Sequence, residues 1–284
     1  MPRQRDPWVS KQLVSRRLRT LRDEADRTQR EIAKSMDWSL SKLIRIENAT
    51  VHISTSDLKV LLREYEVDDA AASVLIAEAK ASRQAPWYGD RVPSRLARAI
   101  AFESAARSIH QFQLQAVPGL VQTEAYARAV LELFLRGEEL DRAVEVRMER
   151  RRRLLDDDPP ELHLVLDESV LLRMVGGGDV MRDQIEYLMS LTEKSWFSIA
   201  VVPLARGAHL GLQGSFTLME LDPDVGFATV LDIEVERGEE YLTNRDDALA
   251  QTYWSRFEEI ERAADREDAA IATLKRCLAQ AGYR

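Results

Sequence analysis

The chain has 284 residues, 45% of them hydrophobic and 31% charged, and its 40 Lys+Arg against 48 Asp+Glu give a formal net charge of −8. This is the balance of an ordinary folded protein longer than one typical domain; it excludes a disordered or collagen-like chain, and no apolar run approaches the ~20 residues of a membrane-spanning helix. Cys277 is the only cysteine, which excludes an internal disulfide and a thiolate metal cluster; with no apolar secretory stretch in MPRQRDPWVSKQ, a cytoplasmic location is expected.

Charge divides the chain. Residues 1–65 hold 14 Lys+Arg and 9 Asp+Glu, net +5, so the remainder holds 26 and 39, net −13. A basic first unit on an acidic body predicts that only the first unit meets a polyanion. Residues 1–9 are read as a flexible arm, with Arg3 and Arg5 either reaching a minor groove or staying in a disordered tail. Val14, Leu18 and Leu21, four and three apart, predict a helix from about residue 10 to Glu24 with arginines on its other faces.

In TQREIAKSMDWSLSKLIRIE, residues 28–47, Thr28 and Glu31 form a capping box that opens a second helix to about Met36. Asp37-Trp38 turns the chain and Ser39 caps a third helix through Glu47. Two short helices across a tight turn, the second carrying Ser41, Lys42 and Arg45 outward, form a helix-turn-helix whose second member can enter a major groove. Further helices near 56–65 and 70–83 complete a five-helix unit over 10–82. The alternative weighed against it is a helical bundle whose basic face serves protein contacts.

This stretch resembles the lambda-repressor-like (Cro and XRE-type) DNA-binding domains. The resemblance implies double-stranded DNA as partner, with Gln29 and Asn48 on phosphate, and Leu40, Ser41, Ile44 and Arg45 at base edges beside the Ser39 cap. Arg45 can grip guanine O6 and N7, Lys42 suits phosphate, and Glu47 with Arg22 ties the recognition helix to the first helix. Where the family usually has glycine at the two tight turns this chain has Asp26 and Asp37, and Leu40 and Ile44 replace polar readers, pointing to thymine methyls rather than hydrogen-bonded readout.

Pro86, Gly89 and Pro93 mark a linker over 83–93. The body, 94–284, is read as α+β, with N-terminal helices, a mostly antiparallel sheet and C-terminal helices. Its expected elements are a helix over 94–112, a helix in TEAYARAVLELFL with Tyr126, Val130 and Phe134 inward, and a helix from Asp141 to Leu155. Arg147 and Arg150 to Arg153 on the last are read as a face meeting nearby acids, ahead of DDDPP. Then come the strand LHLVL, a helix from an Asp179 cap to Thr192, the strands FSIAVVPL, GSFTLMEL and FATVLDIEV, and the helices DDALAQTYWSRFEEIERAA and EDAAIATLKRCLAQ, with sequence-adjacent strands taken as antiparallel.

VPGLVQTEAYARAVL, PPELHLVLDESVLLRMVGG and GAHLGLQGSFTL look like phrases of actinomycete XRE-type regulators with a large antitoxin-like C-terminal domain. That resemblance implies a transcriptional regulator and supplies no catalytic residues. Enzyme templates such as GxSxG, HExxH, the Walker loop and GxGxxG are absent from the sequence. His52, His110, His163 and His209 lack a second ligand at metal spacing, so neither a metal nor another cofactor is expected. Gly176-Gly177-Gly178 is read as a flexible loop rather than an anion nest, Asp167 and Glu168 as surface or capping residues, and Trp196-Phe197 as core. His209, Gly214 and Ser215 are candidates for a ligand pocket, weighed against a plain turn. The expected function is a non-enzymatic, sequence-specific DNA-binding regulator acting as a homodimer. The alternative is an antitoxin-like interaction protein whose acidic body holds a small partner protein; a small-molecule effector is a further candidate partner, and no membrane partner is expected.

Overall fold

The computed structural model describes residues 4–155, 158–222, 229–233, 241–243 and 248–281. Arg3, Asp156, Asp157, the ends of FATVLDIEV (227–228 and 234–235), the opening Asp246-Asp247 and residues 282–284 lie outside them.

Five helices come first: α1 (Pro7–Glu24), α2 (Gln29–Ser35), α3 (Leu40–Glu47), α4 (Thr55–Glu64) and α5 (Asp69–Ala81). Each begins on a side-chain oxygen that accepts an orphan backbone N–H, from Asp6, Thr28, Ser39, Ser54 and Asp68. Their apolar stripes close over Leu18, Ile32, Leu43, Leu58 and Leu61, all fully buried. Asp26 and Asp37 take up the left-handed backbone at both tight turns, φ 50° and 52°. Aspartate bears this better than most residues.

The first residues differ from the expected arm. Pro7 opens α1, and Asp6 caps it by accepting the Trp8 N–H at 2.8 Å and the Tyr88 hydroxyl at 3.0 Å. Desolvation raises the Asp6 carboxyl above the usual range, against the lowering effect of those two donors. Trp8 stands edge-on to Phe102 at 5.3 Å under the Arg98 guanidinium, and Val9 is fully buried in the core of the body. The same helix then gives Val14, Leu18 and Leu21 to the core of the first unit. Two apolar residues ahead of a periodic run read as a tail; here they are the end of α1 that docks on the body. The 83–93 segment is also held, with Tyr88 only 6% exposed.

The body comprises α6 (Ser94–Ser104), β1 (Ala106–Gln113), α7 (Glu124–Leu131), α8 (Gly137–Leu155), β2 (Glu161–Asp167), α9 (Glu168–Leu172), α10 (Gly178–Leu191), β3 (Phe197–Val202), β4 (Phe216–Leu221), β5 (Thr229–Ile233), β6 (Tyr241–Thr243), α11 (Ala248–Ala263), β7 (Asp265–Arg266) and α12 (Glu267–Ala281). Among the described residues the strands form one sheet in the order β6-β5-β4-β1-β2-β3-β7. The β6/β5, β5/β4, β4/β1 and β3/β7 pairs are antiparallel, whereas β1/β2 and β2/β3 run parallel. The sheet is therefore mostly antiparallel, as expected, although adjacency in sequence misassigns the central pairs. The β1–β2 and β2–β3 connections contain helices, and a crossover of that length returns the chain in the same direction.

Alternation splits the strands between two layers. Ile109, Leu162, Leu164, Ile199 and Val201 face a core shared with Met181, Ile185 and Leu188 of α10 and Leu274 of α12. Phe112, Val165, Ala200, Phe216 and Leu218 face Phe257 and Ile260 of α11. Three local expectations are corrected. The helix foreseen over 94–112 stops at Ser104, and ARSIHQFQ becomes the central strand β1. Phe134 is 79% exposed because α7 ends at Leu131, before the residue can turn inward. The cap of α10 is Gly177, at φ 93°, so Asp179 lies in the first turn, paired with Arg182 at 2.9 Å.

Candidate nucleic-acid interface

Local chemistry sets the pose of the two helices. The Thr28 N–H donates to Glu31 Oε2 at 2.8 Å and the Glu31 N–H to Thr28 Oγ1 at 3.3 Å, closing the capping box at the start of α2. The Glu31 carboxylate also accepts the Thr28 hydroxyl at 2.7 Å, and the two donations from Thr28, backbone and side chain, hold it below its ordinary range. Ser39 Oγ accepts the Lys42 N–H at 3.2 Å and opens α3, whose Leu43, Ile46 and Glu47 turn inward.

Glu47 is 3% exposed and is the hub of the pair. Arg22 of α1 reaches it with two nitrogens, at 2.8 and 3.2 Å, and Gln29 Nε2 donates to Glu47 Oε2 at 2.7 Å. Donating to the Glu47 carboxylate raises the Arg22 guanidinium above its usual value. A buried carboxylate without these donors would be strongly unfavourable, so the arrangement fixes α1, α2 and α3 together. Gln29, assigned to phosphate, is thus half-buried and occupied with Glu47.

The opposite face of α3 is open. Ser41 and Arg45, four apart, and then Asn48 are exposed on one side, with Leu40 and Ile44 half-buried between them. Among the described residues the Arg45 side chain has no hydrogen-bond or ion-pair partner. Asn48 Oδ1 accepts Arg19 Nη2 at 2.6 Å, bringing an α1 cation beside the end of α3. Lys42 bends away from Arg45; its Nζ lies 4.0 Å over the Trp38 ring and 2.9 Å from Asp57 Oδ2 on α4. Arg19, Trp38 and Asp57 are contacts that sequence reasoning misses. Only the basic and aromatic character of the region hints at them, because pairing between helices leaves no periodic mark.

His209, Gly214 and Ser215 come together elsewhere, as interior and turn groups. His209 Nε2 lies 3.2 Å from the buried Asp167 Oδ2, and its Nδ1 accepts the Gly211 N–H at 3.2 Å. Ser215 Oγ accepts the Leu114 N–H at 3.1 Å, and Gly214 turns the chain at φ 128°. A Cβ on Gly211 would lie 2.2 Å from Phe112 Cζ, so this loop closes tightly over the sheet. Neither described cavity is lined by these residues. Asp167 and Glu168 are buried rather than at the surface: Asp167 caps α9, while Glu168 accepts the Leu204 N–H and pairs with Arg276 at 2.8 Å.

The arginine run on α8 is tied down. Arg150 forks onto buried Glu103, Arg147 and Arg151 reach the side chain and carbonyl of Gln122 at 2.7 Å each, and Arg152 and Arg153 meet Glu149. Burial lowers Arg147 to about 10. Among the described residues no group of three or more His, Cys, Asp or Glu side chains converges as for a metal ion, and no helix is long and apolar enough to cross a membrane.

Residues 13–75 match a helix-turn-helix domain, which makes this first unit that of a DNA-binding regulator. Residues 96–276, more than half of the chain, match a domain of unknown function (DUF5753). No curated protein and no solved structure matches. The chain therefore belongs to the DUF5753 family and carries a helix-turn-helix DNA-binding domain ahead of the domain that defines it.

Proposed function

We propose that the protein is a non-enzymatic, sequence-specific regulator of XRE type that binds operator DNA as a homodimer, in the cytoplasm of an actinobacterium. The observation that carries the reading is the open face of α3, where exposed Arg45 has no hydrogen-bond or ion-pair partner among the described residues, while Lys42 is engaged with Asp57, Arg22 with Glu47 and Arg19 with Asn48. Arg45 grips a base edge, Ser41 reads beside it, and Leu40 and Ile44 meet thymine methyls. Lys42, Asn48 and Arg19 touch phosphate, Ser39 sets the helix start, and Gln29 holds Glu47 and offers its remaining hydrogen-bonding capacity to the backbone. Half-sites stand about one helical turn, ~34 Å, apart. We assign residues 10–82 to reading and the body to dimerisation. Leu212, 57% exposed, and Leu249, 39% exposed, give the body apolar surface where the Leu210–Gln213 turn packs on α11.

A selection from random DNA followed by anisotropy tests this. Arg45→Ala is expected to relax preference at one base position, costing about 1–3 kcal/mol there, while Lys42→Ala weakens all sequences alike. Failure to enrich any site, or equal losses for both variants on every sequence, would count against the assignment.

A further inference from the structure

The segment that leaves α3 is held by cations from α1 and from beyond α5. Arg19 donates to the Glu47 carbonyl at 3.3 Å and to Asn48 Oδ1 at 2.6 Å, and Lys11, earlier on α1, donates to the Thr50 carbonyl at 3.2 Å. From the other side Arg83 donates to the Ile53 carbonyl at 2.9 Å and to Thr55 Oγ1 at 2.8 Å. Between these contacts in the chain stands exposed His52, its Nδ1 3.2 Å from Ser82 Oγ. That hydroxyl donates to the Ala79 carbonyl, so it accepts from Nδ1–H and leaves His52 Nε2 without a partner among the described residues. Among those residues Lys11, His52 and Arg83 meet only carbonyls and hydroxyls, and none is hydrogen-bonded or ion-paired to a carboxylate.

We propose that Lys11, His52 and Arg83 form a second seat for the DNA backbone, a phosphate clamp beyond the C-terminal end of the reading helix. The inference rests on the operator-binding reading and extends it from the bases to the flanking backbone. Neutral acceptors orient the Lys11 and Arg83 side chains but leave their charge uncompensated, and each keeps unused N–H donors for an anion. The seat is fixed to the reading face, because the Thr50 and Val51 N–H groups both return to the Arg45 carbonyl, at 2.8 and 3.2 Å. The charges facing His52 are Lys11 of α1 and Arg83 beyond α5, with the neutral Ser82 hydroxyl at the end of α5; burial first, then those two cations, lower its pKa in the free protein. A phosphate among them raises it again, so DNA binding takes up a proton at Nε2. Affinity is therefore lowest well above the bound-state value and rises as pH falls towards the free-state one.

Anisotropy of the full chain on the best-enriched duplex and on scrambled DNA, over a series of salt concentrations and at pH 8 and 6, tests the clamp. Lys11→Gln and Arg83→Gln are each expected to weaken both duplexes alike, about threefold to tenfold at low salt, and to flatten the dependence of log Kd on log salt by about one unit. The unaltered chain is expected to bind about threefold or more tightly at pH 6 than at pH 8, and His52→Gln to remove that difference. A segment that only braces α3 would instead lose preference for the enriched duplex with the salt slope unchanged. Circular dichroism checks folding; if the cation variants unfold, His52→Gln, which alters an exposed residue, carries the test. Folded variants with unaltered salt slopes, or a pH dependence that survives His52→Gln in full, would overturn the clamp. Equal binding of both duplexes by the unaltered chain, with the expected slopes, would overturn the sequence-specific reading alone, and binding of neither would overturn both.

Discussion

Asp57 illustrates how one carboxylate can set the strength of a DNA contact without touching DNA. Its side chain pairs with Lys42 Nζ, 2.9 Å away, and is free to do so because Ser54 rather than Asp57 caps α4. Phosphate must compete with that pair. Asp57→Asn is therefore expected to strengthen binding to all sequences several-fold, on the order of 1 kcal/mol, with base preference unchanged; anisotropy on operator and scrambled DNA would read it. Tyr65 is a second residue whose polar atom decides the outcome. Among the described residues its buried hydroxyl has no hydrogen-bond partner, and burial, with Glu47 nearby, pushes its pKa above the usual range. Tyr65→Phe removes an unsatisfied group at constant shape, so urea unfolding should find the variant neutral to about 1 kcal/mol more stable.

On the face of the sheet under α11, paired strands place His110 of β1 beside His163 of β2, their rings stacked at 4.3 Å. Trp254 and Phe257 of α11 close over His110, and Ser108, itself bonded to Glu220, meets its Nε2 at 3.1 Å. Burial, reinforced by His163, lowers His110 to about 4. The native state thus refuses a proton that the unfolded chain accepts below about 6.5, so stability is full above that pH and is lost as pH falls from 6.5 towards 4, by about 3 kcal/mol at most. Denaturant titrations at pH 7, 5.5 and 4.5 should show this slope flattened in His110→Gln. An unchanged slope would assign the acid sensitivity to other groups.

Such pairing also marks what is legible in the chain. Helices α2 to α5 can be read because a capping oxygen, an apolar stripe and a turn residue coincide within a few positions. Strand β1 cannot: ARSIHQFQ follows α6 with no glycine or proline between them, and Ser108 and Gln111 find Glu220 and Thr217 on a strand more than a hundred residues away. The three-residue β6 lies beyond a charged run and carries no alternation long enough to register. At the reading face the roles of Arg22 and Glu47 are legible from the resemblance, whereas the Lys42–Asp57 pair depends on how α4 lies against α3. His209 reads as a pocket group because its loop is rich in glycine, yet those glycines bring the loop down onto Phe112.

Across the whole molecule, α1 belongs to two cores. Its first turn gives Val9 to the body, and its later turns give Leu18 and Leu21 to the DNA-binding unit. Trp8→Ala is expected to cost about 3 kcal/mol although the residue precedes the helix-turn-helix, because it empties a site against Phe102. Scanning calorimetry should show one transition for the full chain, with Trp8→Ala lowering it as a unit. Two separate transitions in the unaltered protein would mean that the shared helix does not couple the cores.

That sharing limits how such proteins can be rebuilt. A recombinant that grafts a different DNA-binding unit onto this body at residue 83 removes Trp8, Val9, the Asp6 partner of Tyr88 and the Arg5 bridge to Asp222 along with the old unit. The usable crossover is therefore two-part. The incoming unit must begin on residues 4–10 of this chain, continue in register along the same helix, and only then diverge, so that its new specificity rides on an inherited stem.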